Sequence, residues 1–159
     1  MPVPDFVLRL REHIGHDPLW LIGVTAVVVR QDRVLLVRRS DTGAWTPVTG
    51  IVDPGEHPAV AAVREVEEEA AVRCDVVGLA AVGVSPEVVH VNGDRAQYLD
   101  HTFLCRHLDG EPRPADDEST AADWFPLGDL PEMPQRMRDR IRTAVEYDGA
   151  ARLIDDRPV

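Results

Sequence analysis

At 159 residues, with 44% hydrophobic side chains and no low-complexity stretch, the chain is long enough to bury a sizeable core without staples, and a single domain over 1–159 is expected. The formal net charge of −11 argues against an electrostatic grip on nucleic acid or an anionic membrane surface, and favours a small-molecule ligand handled through cations. The only two cysteines, Cys74 and Cys105, lie in apolar surroundings without a C-x-x-C spacing, which points to buried reduced thiols and a cytoplasmic setting.

In chain order, residues 5–14 carry Phe6, Leu8, Leu10 and Ile14 as apolar positions before Gly15, and predict a short leading helix. Pro18 to Val29 is apolar but too short to span a bilayer, with acids among the arginines before it, so it reads as a buried strand. The β-branched runs Trp20–Arg30 and Arg33–Arg38, on either side of Gln31-Asp32, predict a hairpin. Thr46–Asp53 continues the sheet, and a helix starts near His57, where Pro54-Gly55 makes a turn and Pro58 loses nothing by its missing N–H. Strands follow over 76–84 and 88–91, then the Asn92-Gly93 hairpin turn and a long strand over 96–106. The polar stretch 108–120 reads as a loop, and 123–126 as a short strand. A last helix is expected over 134–147 with Met137, Ile141, Ala144 and Val145 buried, then a frayed tail from about 148. Periodicity alone gives an α/β domain.

The helix after His57 carries the chemistry. Ala59, Ala62, Val63, Val66 and Ala70 recur at three- and four-residue steps and gather on one stripe. Glu65, Glu68 and Glu69 share the flank beside it, while Glu67 points to solvent. Carboxylates about 5 Å apart at an effective dielectric near 20 repel by roughly 3 kcal/mol, a cost that a bound hard cation reverses. Read without its context, the run is an ordinary solvated helix face with an Arg64–Glu68 contact.

The full spacing favours the cation. Gly50, Glu56, Arg64-Glu65-Val66, Glu68-Glu69 and Val72 resemble the Nudix box, with Ala71 in place of its second glycine. The resemblance implies an α/β/α sandwich with a mixed central sheet, and hydrolysis of a diphosphate linkage in a nucleoside diphosphate derivative of the ADP-ribose or nucleotide-sugar type. It also implies Mg²⁺ or Mn²⁺ held by Glu65, Glu68, Glu69 and the Gly50 carbonyl, Glu65 or Glu68 as the base, and Arg64 paired with Glu56 to fix the loop. In some relatives a glutamate placed like Glu118 is a further metal ligand or the base, with Asp116 and Asp117 as competitors here. Arg39 or Arg38 at the cleft end of the second strand is placed to hold a phosphate, and Tyr98 and Gln97 to touch the ligand, with sheet surface the equal alternative for the latter two. Trp45 reads as core in preference to a base-stacking residue.

Two other functions stay open beside this one. They are a noncanonical (deoxy)nucleoside triphosphate pyrophosphohydrolase and, against the intact set of glutamates, a catalytically silent nucleotide-binding module. The six histidines show no tight metal spacing, so a zinc hydrolase is not expected. A homodimer is compatible with the sequence.

Overall fold

The structure, a computed structural model, describes residues 3–155. Its elements in chain order are α1 (Asp5–Ile14), β1 (Leu19–Arg30), β2 (Arg33–Arg39), β3 (Trp45–Thr46), β4 (Val48–Ile51), α2 (Pro58–Ala70), β5 (Arg73–Val84), β6 (Val88–Val89), β7 (Arg95–Asp109), β8 (Ser119–Pro126), α3 (Gln135–Val145) and β9 (Arg152–Asp155).

From Gly23 to Val28, β1 is buried without alternation, as expected of a strand covered on both faces. It lies parallel to β7 from Leu19–Ala96 to Val29–Arg106, and β7 pairs antiparallel with β5. The β1–β2 hairpin is paired only at Val29–Val34 and Arg30–Arg33, around a turn with Gln31 at φ 57°. Beyond that the two strands part, and β4 takes the vacated edge of β1, with Val24 opposite Gly50. This divergence places Gly50 next to α2.

Helix α2 covers one face of the sheet, over Val24, Val28, Val37, Val48 and Phe103. Helix α3 covers the other, with Ile141 and Ala144 against Val27, Val34 and Leu36. Helix α1 adds a smaller cluster in which Val7 meets Leu21 and Ala96, with Phe6, Ile51 and Tyr98 around it. The mixed sheet between helices is the α/β/α sandwich that the Nudix resemblance implies.

Buried polar groups tie α3 down. Arg140 donates to the Thr25 hydroxyl at 2.8 Å and pairs with Asp100 at 3.2 Å, while Thr25 and Thr102 donate to the Asp100 carboxylate at 3.0 and 2.9 Å. All four residues are buried.

Several expectations need correction. The tail is not frayed throughout, because Arg152–Asp155 forms β9, paired in parallel with Ala81–Val84 of β5; residues 156–159 lie outside the described residues. The loop is shorter than expected, since β7 runs on to Asp109 and β8 starts at Ser119 to pair with β2. Val145 is exposed, because α3 turns its Met137, Ile141 and Ala144 stripe to the sheet. On α2 the fully buried set is Ala61, Ala62, Val66 and Ala70, with Ala59 and Val63 only partly covered. Trp45 does pack as a core residue, edge-on to Phe125 with ring centroids 4.7 Å apart. Both cysteines are free and buried. No helix among the described residues is long and apolar enough to cross a membrane.

Helix α2 ends on Ala71 in the left-handed conformation, φ 56° and ψ 29°, a region that costs a Cβ-bearing residue about 1 kcal/mol. The helix end is closed by the loop that follows β7: Arg113 N–H donates to Ala70 O and Ala115 N–H to Glu69 O, both at 3.1 Å. Gly110, at φ 87°, passes so close that a Cβ there would stand 2.6 Å from Ala71 O. Replacing Ala71 with glycine should therefore raise Tm by roughly 2–4 °C in a calorimetric scan. An unchanged or lower Tm would mean that the surrounding loop already relieves the strain.

Candidate active site

The box folds as strand, loop and helix. His57 caps α2 by accepting from Ala59 N–H at 3.1 Å, and Pro58 follows at the first helical position. Within the loop, Glu56 N–H donates to Asp53 O at 3.0 Å, and Asp53 N–H returns a bond to Glu56 Oε2 at 3.2 Å. Arg64 grips this loop bidentately: Nε donates to Glu56 Oε1 at 2.8 Å and Nη2 to Glu56 Oε2 at 2.9 Å. The same guanidinium gives Nη1 to Glu65 Oε1 at 2.9 Å and to Glu68 Oε2 at 3.1 Å. Arg64 thus reaches three carboxylates, which hold it firmly protonated, and its own charge pulls Glu56 below the usual carboxylate range.

Burial separates the glutamates. Glu65 is 0% and Glu69 2% exposed, while the Glu68 side chain is 44% exposed and Glu67 lies in solvent. Burial pushes the Glu65 carboxyl up to about 7 against the opposing pull of Arg64, and Glu68 adds to the rise. Glu69 is also pushed up, first by burial and then by the charges of Glu118, Glu65 and Asp116. Gly50 packs directly on Glu65; a Cβ at position 50 would stand 2.2 Å from its carboxyl carbon. Only glycine leaves that carboxylate its place.

Two carboxylate oxygens in this region, Glu65 Oε2 and Glu69 Oε1, are buried without a hydrogen-bond partner. Such oxygens are costly unless a proton or a cation completes them. Among the described residues no three His, Cys, Asp or Glu side chains stand together in metal-holding geometry, and Arg64 takes one oxygen each from Glu65 and Glu68. The donor set remains one of hard oxygens, which suits Mg²⁺ or Mn²⁺.

The other expected residues fall around this centre. Glu118 is half-buried, its charge acts on both Glu69 and Arg39, and its carbonyl accepts from Ser40 N–H at 2.7 Å. Arg39 donates Nε and Nη2 to Asp41 at 2.9 and 2.8 Å. Tyr98 does not join the carboxylates: it is half-buried under α1, and its hydroxyl lies 3.2 Å from His90 Nε2. Sequence reasoning missed Ser119, which is buried and donates to Glu69 Oε2 at 3.4 Å.

The NUDIX domain family model matches residues 20–146. The chain belongs to the Nudix family. It is a pyrophosphohydrolase of that family, acting on a diphosphate linkage in nucleotide derivatives. A MutT-like protein of Streptomyces ambofaciens is 34% identical over 84% of this chain and 80% of its own length. An 8-oxo-dGDP phosphatase of Mus musculus is 31% identical over 86% of this chain, which spans only 39% of that protein. The crystal structure of an ADP-ribose pyrophosphatase from Streptococcus suis is 26% identical, superimposes with a TM-score of 0.65, and is matched over 84% of this chain and 98% of that one. Both α1 and β9 lie outside the matched Nudix segment.

Proposed function

We propose that the chain hydrolyses a nucleoside diphosphate derivative of the ADP-ribose or nucleotide-sugar type with Mg²⁺ or Mn²⁺ held at the α2–β4 junction. The observation that carries this reading is the pair of buried carboxylate oxygens without partners, Glu65 Oε2 and Glu69 Oε1, beside a glycine that a side chain cannot replace. Glu65, Glu68, Glu69, the Gly50 carbonyl and Glu118 would hold the metal. When bound, a divalent cation neutralises the charge that spreads over the phosphate oxygens and makes water a better nucleophile.

The chain's own groups supply the rest. Glu68, the most exposed carboxylate of the set, takes the proton of the attacking water. Arg64 and Glu56 lock the loop to the helix, so the carboxylates are aimed before substrate arrives. Arg39 keeps Nη1 outside its pair with Asp41, placed to donate to a phosphate oxygen. Tyr98, packed against the α1 cluster, would touch the ligand away from the carboxylates.

Likeness to the ADP-ribose pyrophosphatase supports the diphosphate-derivative reading. A second reading, a noncanonical (deoxy)nucleoside triphosphate pyrophosphohydrolase, is favoured by likeness to the MutT-like protein and the 8-oxo-dGDP phosphatase. A hydrolysis panel with Mg²⁺ and Mn²⁺ separates them. Turnover of ADP-ribose or nucleotide sugars to a nucleoside monophosphate is the expected result. Turnover confined to triphosphates, with pyrophosphate released, would select the second reading, and no turnover on any compound would overturn both.

A further inference from the structure

Glu69 is one of the most deeply buried acids in the protein, and its two oxygens are treated differently. Oε2 accepts the Ser119 hydroxyl at 3.4 Å, while Oε1 has no partner. Ser119 is itself 6% exposed and sits on the first residue of β8, opposite Arg39 of β2. The β2–β8 ladder shifts register between Arg38 and Arg39, which re-aims this end of the pair, and Ser40 N–H fixes Glu118 O next door at 2.7 Å. The hydroxyl is therefore carried by a strand end held by β2, through the Arg39–Ser119 pairing and the bond from Ser40 N–H to Glu118 O. The main chain of Glu69 is pinned as well, because its carbonyl accepts from Ala115 N–H at 3.1 Å.

We propose that Ser119 is a positioning residue for the metal centre: by engaging Glu69 Oε2 it keeps Oε1 as the oxygen turned to the cation, and so sets metal affinity. The inference rests on the proposed metal-holding role of Glu69. A neighbour that orients a metal-binding carboxylate characteristically changes affinity by about 10–100-fold when it is removed. A serine hydroxyl suits this place. It is short enough to fit a buried strand position, and it donates to the carboxylate without adding a charge that would compete with a cation.

The test is Mn²⁺ binding to the free protein, measured by calorimetry or electron paramagnetic resonance, for wild type, Ser119→Ala, Ser119→Thr and Glu69→Gln. The expected result is Mn²⁺ binding about tenfold or more weaker in Ser119→Ala, recovery in Ser119→Thr, and a loss at least as large in Glu69→Gln. Thermal scans without metal check that each variant folds, and folded Ser119→Ala with wild-type Mn²⁺ affinity overturns the proposal. If Glu69→Gln weakens binding while Ser119→Ala does not, only the Ser119 role fails. If neither variant changes binding, the metal role of Glu69 fails, and the Ser119 proposal falls with it.

Discussion

Glu65→Gln is expected to lower kcat/KM with Mg²⁺ by roughly a thousandfold, about 4 kcal/mol of barrier, while leaving the metal-free protein at least as heat-stable as wild type. The two effects share one cause. Glu65 is fully buried against Gly50, with Oε2 unpartnered and its carboxyl pushed up to about 7 by burial. Above its ordinary titration range an ionised group in that position costs the folded state free energy, which Arg64 offsets only in part. The glutamine is isosteric, still accepts from Arg64 through its carbonyl oxygen, and removes the buried charge. Steady-state kinetics and calorimetry on the same preparation check the pair. Activity within tenfold of wild type, or a Tm several degrees lower, would contradict the expectation.

The second large effect concerns stability. Asp100→Leu is expected to destabilise the fold by roughly 3–5 kcal/mol, because it takes a buried carboxylate away from Arg140 on the inner face of α3 and from the Thr25 and Thr102 hydroxyls. Adding Arg140→Met should recover part of that loss, since it removes the buried charge that Asp100 balances. Urea unfolding of the single and double variants measures this. A single variant within about 1 kcal/mol of wild type would show that water reaches the pair. Loss of α3 docking would also expose Leu36 and Val27, so the single variant should aggregate on heating.

Much of this architecture can be read from residues that act locally. The Gln31-Asp32 and Asn92-Gly93 turns and the Pro58 helix start each follow from spacing and turn chemistry, the Arg64–Glu56 tie follows from the Nudix resemblance, and each stands where expected. Burial is harder to read. Glu65 and Glu69 look like one edge of a charged helix face, yet the helix is rolled so that Ala61 goes fully inward and takes both carboxylates with it. Nothing in the helical period decides between those rolls; Gly50 and Ser119, on other elements, do. Ser119 itself gives no signal, being a serine in a polar, proline-containing stretch whose strand state comes from pairing with β2. The same holds for Arg152–Asp155, which is too short to declare a strand and becomes one because β5 offers an edge. The Asp100–Arg140 pair joins a strand to a helix far along the chain, a contact that only the fold creates.

The proposed hydrolysis depends on the carboxylates of α2 acting on a diphosphate. Its most direct test is product formation by wild type and Glu68→Gln side by side, with Mg²⁺, on the diphosphate derivative that wild type turns over fastest. Glu68 is half-exposed, so its replacement should leave the fold and KM nearly unchanged and lower kcat by about 10²-fold or more, the usual contribution of a positioned general base. A Glu68→Gln enzyme that keeps wild-type kcat would contradict the assignment.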